Sequence, residues 1–479
     1  MAGCHKGVRP LCDIEVGEPL DHRASNVTKG SDPFVTSACR SGCRTLGRMA
    51  DRLRILLIAF YYPPTGGGGV ERTLQFSRRL PGLGIDVEML VPTDAKWLAE
   101  DPASVGRIPA DVTVHRVRYR GPSLKQLPAD RIRNAPTTAR KLAVRAALAP
   151  QRLFLPDANA PWLADVVPAA LKLLKTGRFD AFVTTTPPHT VAVAGRLIRS
   201  RTEVPWIADW RDPWLTHADL DLSRPDIRAK QAAIARLARW CVGGMDAASV
   251  VDHAEEEVRS LRPELPLAVI PNGIDLEELA AIERRPDPDH CTFTFTGWFF
   301  GDRSPSYLLS AVAELVRDRP ELRAVIRLRF IGGFPEADRR RVVELGISEL
   351  VAIEPPAPHA DALQAQADAD VALIFMQDGG GQGEKFLPGK VWELLACGRP
   401  VLAMLPVEGA AARELRAVDA AIVGPDDVAA ARGAVEAYVE QWRSGTLPTP
   451  ALADDIRTRI SRQTQAEALA GLIHTTVGR

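Results

Sequence analysis

From Leu53 to the end of the chain, short apolar runs alternate with stretches whose apolar positions recur every three or four residues. Strands and helices taken in turn in this way mark parallel-sheet α/β domains. In the first half the runs predict strands over 53–60, 85–91, 112–117, 181–185, 205–208, 247–251 and 268–270. After the turn Pro271-Asn272-Gly273-Ile274-Asp275 and a Pro/Asp-rich linker at 284–290, the alternation restarts. Strands follow over 292–296, 326–331, 351–353, 371–376, 401–405 and 421–423. Helices are expected between them, among others over 70–80, 191–199, 227–240, 307–317, 335–345, 360–367, 390–397 and 426–442. The pattern predicts two doubly wound, Rossmann-like units, over 51–280 and 281–450, with ligands at the carboxyl ends of their strands. One more amphipathic helix over 454–476, within a terminal segment 451–479, is placed to cross back to the first unit.

Residues 1–50 stand outside this pattern: polar, Gly-containing, weakly periodic and without the apolar stretch of a secretory signal. Met49 directly precedes the first strand, so translation is expected to start there, with 1–48 a misplaced start or a disordered tail.

A chain of 479 residues is long enough for more than one core, since single cores stop growing near ~250–300 residues. Zero formal net charge argues against bulk nucleic-acid binding, and there is no run of about 18 apolar residues that would cross a membrane. Cys241, Cys291 and Cys397 sit singly in apolar segments, as buried thiols of a reducing compartment do. Cys39 and Cys43, with Cys4 and Cys12, have zinc-ligand chemistry, but no fold-forming pattern adjoins them. Over 120–155, basic residues such as Arg131, Arg133, Lys141 and Arg145 interleave with Leu142, Val144, Leu148 and Phe154. Such an element either lies on an anionic membrane or packs on the domain as a solvated helix.

Candidate chemistry collects after predicted strands. The first strand breaks at Tyr61-Tyr62-Pro63-Pro64-Thr65 into four glycines, Gly66, Gly67, Gly68 and Gly69, which lead into a helix. The spacing matches neither a P-loop nor the dinucleotide fingerprint. It makes a turn without Cβ atoms, against which a diphosphate or sugar packs closely, or a plain tight turn. His189 ends Thr186-Pro187-Pro188-His189 at a strand's carboxyl end, in the expected crevice or as a surface cap. Asp209, Arg211 and Asp212 sit among three tryptophans, either as an ion pair ordering a loop or on the acceptor side.

In the second half, Arg303 follows Gly297-Trp298-Phe299-Phe300-Gly301-Asp302, placed to bind a phosphate bidentately. The second glycine loop, Gly379-Gly380-Gly381-Gln382-Gly383, leads through Glu384 and Lys385 to Lys390 and Glu393. A carboxylate one turn into that helix accepts two ribose hydroxyls, or else pairs with Lys390 in solvent for a few tenths of a kcal/mol.

Taken in order, these stretches, with Pro271 through Asp275 and Pro388-Gly389-Lys390-Val391-Trp392-Glu393-Leu394-Leu395-Ala396-Cys397-Gly398-Arg399-Pro400-Val401, resemble a family-four retaining glycosyltransferase. The resemblance implies a GT-B fold, in which a glycosyltransferase 4-like domain and a group 1 type domain face each other across a cleft. It implies that Glu393 binds the nucleotide ribose and that Arg303 and Lys390 face the diphosphate. The loop with Gly67, Gly68 and Gly69 would line the crevice, with His189 near the transferred sugar; His189, Arg303 and Lys390 are then the catalytic candidates. One position departs from the family. Its signature carries two glutamates eight residues apart, and the residue eight before Glu393 is Lys385, with Glu384 adjacent. Sugar contact then falls to Glu384 or to loop backbone.

The expected reaction is retaining sugar transfer from a nucleotide-diphosphate donor to a glycan, lipid-linked or small-molecule acceptor, without cofactor. No obligatory metal is expected, because the Asp-x-Asp triplets at 219–221, 287–289 and 368–370 do not follow strands as such a metal site needs. The setting implied is cytoplasmic, at the inner face of the membrane if 120–155 binds lipid, in polysaccharide or lipid-linked glycan assembly. The rivals are a GT-B sugar-nucleotide 2-epimerase and a non-catalytic sugar-nucleotide-binding partner of another transferase.

Overall fold

Among the described residues of the computed structural model, thirteen parallel strands form two sheets. The first holds β1 (Leu53–Ala59), β2 (Ile85–Pro92), β3 (Thr113–Val117), β4 (Ala181–Thr185), β5 (Trp206–Trp210), β6 (Ala247–Val250) and β7 (Leu267–Val269), in the order β3-β2-β1-β4-β5-β6-β7. The second holds β8 (Cys291–Trp298), β9 (Ile326–Gly333), β10 (Val351–Glu354), β11 (Val371–Phe375), β12 (Val401–Met404) and β13 (Ala421–Val423), ordered β10-β9-β8-β11-β12-β13. The structure describes residues 52–478 except 94, 96, 98–99, 124–136, 141, 144–153, 216–224, 300–302, 378–383 and 385–386. Residues Arg52–Arg479 form one compact unit; the other, Met1–Asp51, lies outside the described residues.

Each predicted strand is present, because apolar side chains on both faces of a parallel strand need cover on both sides. Along β1, Leu56 and Ile58 enter one core while Leu53, Ile55, Leu57 and Ala59 enter another. β11 divides likewise: Val371, Leu373 and Phe375 point to one face, Ala372 and Ile374 to the other. Strand order reverses between β1 and β4 and again between β8 and β11. Chains leaving neighbouring strands in opposite directions open a crevice at those carboxyl ends.

Two expectations are corrected. β5 runs through Asp209 to Trp210 instead of stopping at Ala208, because partners described below satisfy the Asp209 carboxylate inside the sheet. The terminal helix is two helices, Asp454–Ile460 and Arg462–Val477, divided at Ser461. There the backbone turns extended and pairs with the Asn272-Gly273-Ile274 turn: Ile274 N–H donates to Ile460 C=O at 2.8 Å and Arg462 N–H to Ile274 C=O at 3.2 Å. Ile460 packs with Trp392 of the second unit, while Leu469, Ala470 and Ile473 pack against β1 and the helix Gly68–Arg79 of the first.

The contact is close enough to require glycine at 273. A Cβ there would stand 2.0 Å from Gln465 Nε2 and 2.1 Å from the Ile460 carbonyl oxygen. Gly273→Ala is therefore expected to cost about 1–3 kcal/mol, read as a lower urea midpoint. An unchanged midpoint would mean that the joint gives way freely.

Candidate active site

The candidate residues read from the sequence follow the strands that flank the two switch points. After β1, Gly67 precedes the helix Gly68–Arg79 with φ +95°, a left-handed conformation that favours glycine. Gly67 and Gly68 are exposed, and a Cβ on either would meet nothing within 4 Å. Gly69 lies closer in: a Cβ there would stand 3.5 Å from the Tyr61 ring and 3.8 Å from the Arg211 guanidinium.

Arg211 ties this turn to the one bearing His189. Its guanidinium donates to the carbonyls of Thr186 and Gly69, and the Arg211 backbone N–H donates to the Thr186 hydroxyl at 3.3 Å. Burial holds its pKa below the usual arginine value. His189 precedes the helix Thr190–Arg199, with its ring 4.4 Å from that of Trp214, which stacks on Trp210 at 4.5 Å. Asp157 caps the same helix, accepting from Thr190 N–H at 2.9 Å and the Thr190 hydroxyl at 2.8 Å. Nearby, burial and then the Asp157 charge push the Tyr61 hydroxyl up to about 12. It therefore stays protonated at neutral pH, a donor beside the crevice.

Asp209 is almost wholly buried and its oxygens are engaged. Arg72 reaches them with two nitrogens, at 2.7 and 3.0 Å, and the hydroxyls of Ser249 and Thr185 each donate at 2.7 Å. The other Arg72 nitrogen donates to the carbonyls of Ile270 and Pro271, both at 2.9 Å. One ion pair thus holds the helix after the glycine turn to the ends of β4, β5 and β6 and to the start of the Pro271 turn.

In the second unit Lys390 and Glu393 are brought together. Lys390 Nζ donates to Glu393 Oε2 at 2.7 Å and to Thr296 Oγ1 at 3.0 Å; Gln366 Nε2 donates to the same two oxygens at 3.2 and 3.0 Å. Burial alone would raise the Glu393 carboxyl, but Lys390 and His359 outweigh it and hold it below the ordinary range. The pair is thus a half-buried element of a network rather than an isolated surface contact. Beside it, burial pushes the Cys397 thiol up to about 12. Arg303 is half-buried beyond β8, next to Ser304, whose hydroxyl bonds Asp338 at 2.9 Å. Glu384 is exposed, and its carbonyl accepts from Ala410 N–H at 2.6 Å. Lys385 and the glycines at 379–383 lie outside the described residues, as does most of the basic element, over 124–136, 141 and 144–153.

Between the units, Arg107 forks onto Glu71 at 2.6 and 3.0 Å and reaches Glu278 at 3.0 Å. His359, first residue of the helix His359–Asp368, lies 3.9 Å from both carboxylates. Glu71, Glu278 and His359 are near enough to hold a cation, but the Arg107 guanidinium already supplies positive charge there. Of the Asp-x-Asp triplets, Asp370 binds Arg284 at 2.6 Å and Thr292 N–H at 2.9 Å, while Asp287 bonds the His290 ring at 2.9 Å.

Sequence reasoning missed Arg72, Asp157, Arg107 and His359. Arg72 and Arg107 carry no local motif, and the partners of Asp157 lie 33 residues away. Only an Asp ahead of a helix start hinted at capping, and chain separation concealed which helix.

Residues 67–273 match the family model described as a glycosyl transferase 4-like domain. Over 150 residues the chain is 30% identical to D-inositol 3-phosphate glycosyltransferase of Frankia alni; the match takes in 28% of this chain and 35%, about a third, of that relative. Among solved structures, sucrose-phosphate synthase of Thermosynechococcus elongatus superposes with a TM-score of 0.58 at 16% identity, over 88% of this chain and 99% of that one. UDP-GlcNAc 2-epimerase of Neisseria meningitidis, bound to UDP-GlcNAc, gives 0.50 at 11% identity, over 88% and 100%. At such identities the likeness speaks for the fold. The chain thus has the GT-B fold, two Rossmann-like sheets with helices on their faces. Its first unit matches the model of a glycosyl transferase 4-like domain, and the chain is similar to the family-four glycosyltransferases, as its motifs indicated.

Proposed function

We propose that this protein transfers a sugar from a nucleotide-diphosphate donor, bound by the second unit, to an acceptor held by the first, with the anomeric configuration retained. The observation that carries the proposal is the anionic Glu393 at the start of the helix Lys390–Ala396, opposite a unit that matches a glycosyl transferase 4-like domain. The barrier in such a reaction is separating an oxocarbenium-like sugar from its diphosphate. Rate then comes from positioning and from charge that stabilises the leaving phosphate. Arg303 and the helix N-termini supply that charge in this proposal, and Lys390 does so by exchanging Glu393 for phosphate. A divalent metal is then not required.

The relative named for inositol 3-phosphate favours a phosphorylated polyol among possible acceptors. No described helix is long and apolar enough to cross a membrane, so a lipid-linked acceptor would be met at a surface, through 120–155. A 2-epimerase shares the frame, so the fold does not separate the two activities.

The test is a panel of UDP-, GDP-, ADP- and dTDP-sugars assayed for slow donor hydrolysis and, with acceptors, for transfer, with Glu393→Ala as control. An epimerised donor as sole product would replace this reading with the isomerase. Binding without any turnover would indicate a non-catalytic partner. Arg303→Ala is expected to lower kcat/KM at least by the ~1.5–3 kcal/mol of a charged hydrogen bond, about ten- to a hundredfold. Unchanged turnover would remove Arg303 from the site.

A further inference from the structure

Around Glu393 two donors and two acceptors close into a ring. Lys390 Nζ donates to Glu393 Oε2 at 2.7 Å and to Thr296 Oγ1 at 3.0 Å, and Gln366 Nε2 reaches the same two oxygens at 3.2 and 3.0 Å. Three elements meet there: β8 supplies Thr296, the helix His359–Asp368 supplies Gln366, and the helix Lys390–Ala396 supplies the ion pair. The ring has an outer and an inner side. The Lys390 and Glu393 side chains are 27% and 19% exposed, whereas Gln366 is 1% and Thr296 4% exposed.

The inner amide is held in one orientation. Its Oε1 accepts from the Cys397 thiol at 3.8 Å, and burial pushes that thiol up to about 12, so it stays a protonated donor at neutral pH. Turned over, the amide would set its oxygen against the Glu393 carboxylate. Both hydrogen bonds that Glu393 receives fall on Oε2; none of the described side chains donates to Oε1. One carboxylate oxygen is thus anchored twice, and the two anchors respond differently to an anion. Lys390 is cationic and partly exposed, so a diphosphate draws it off Oε2. Gln366 is neutral and enclosed, and a phosphate exerts no comparable pull on it.

We propose that Gln366 is a positioning residue for nucleoside recognition: it holds Glu393 Oε2 in place, so that the carboxylate keeps facing the ribose after Lys390 has turned to the diphosphate. The inference rests on the glycosyltransferase reading and on Glu393 as the ribose acceptor within it. Gln366 acts through Glu393 and does not itself touch the nucleotide.

Calorimetry on the full chain tests this with UDP, GDP and ADP, each against its 2′-deoxy counterpart. Wild type is expected to prefer the ribonucleotide about ten- to a hundredfold, the worth of a hydrogen bond to a charged group, and Glu393→Ala to lose that preference. Gln366→Met removes the amide at nearly constant length. It is expected to lose most of the preference with Glu393 still present, while 2′-deoxynucleotide affinity stays near wild type. Gln366→Asn withdraws the amide by one methylene and gives the same reading should the methionine variant fail to fold. A Gln366 that only packs the core predicts a lower urea midpoint with the preference intact, or an equal loss of both nucleotides. Either result overturns the proposal and leaves the glycosyltransferase reading standing. A wild-type chain that binds none of these nucleotides or ignores the 2′-hydroxyl, or a preference that survives in Glu393→Ala, overturns the ribose assignment and the proposal with it.

Discussion

Asp209→Ala is expected to destabilise the protein by about 3–5 kcal/mol, because it leaves the Arg72 guanidinium buried without its counter-charge. The hydroxyls of Ser249 and Thr185 lose their acceptor in the same step, and the helix Gly68–Arg79 loses its tie to β5. Denaturant unfolding reads the loss directly. Replacing the pair together, as Arg72→Met with Asp209→Leu, should recover much of it, since no lone charge remains. The pair also sets a pH dependence. Burial would raise the Asp209 carboxyl, but Arg72 overcomes this and holds it below the ordinary aspartate value of about 3.9. Its stabilisation is fully present above that value and is lost as pH falls through the lower folded-state value. Wild type should therefore lose stability on acidification more steeply than Asp209→Ala does. A loss below about 1 kcal/mol in the single variant would show that the pair holds little of the fold.

Glu393→Ala is expected to weaken nucleotide-sugar binding by a hundredfold or more, roughly the 3 kcal/mol of a charged acceptor facing ribose hydroxyls. The carboxyl is held below its ordinary range, so it is anionic at neutral pH and serves as acceptor only. Lys390 competes for the same oxygen at 2.7 Å, so donor binding must trade this contact for a phosphate or share it. Glu393→Gln keeps an acceptor oxygen and should fall between wild type and alanine. Equal donor affinity in all three proteins would disprove ribose binding by Glu393, whatever the enzyme does.

Much of the fold was legible because strand burial is written in local composition. A run such as Leu56-Leu57-Ile58-Ala59 needs cover on both faces, and only a parallel sheet between helix layers gives it. The turns were legible for a related reason: Gly67 sits at a φ that other residues rarely adopt. The errors came where a distant partner overrules local pattern. Asp209 looked like the end of a strand because a lone carboxylate does not belong inside one, and Arg72, 137 residues earlier, removes that objection. The helical periodicity of 454–476 ran unbroken through Ser461, yet the backbone opens there to pair with Ile274.

The sequence by itself determined the α/β alternation, the glycine turns and the helix bearing Lys390 and Glu393, since each follows from contiguous residues and short-range sterics. Tertiary structure alone decided which charges meet. It set Asp209 on Arg72, placed Arg107 between Glu71 and Glu278, and carried Ser461 from the far end of the chain onto Ile274. Such pairings depend on how the chain closes long loops and on what burial does to a charge, and neither leaves a trace in local sequence.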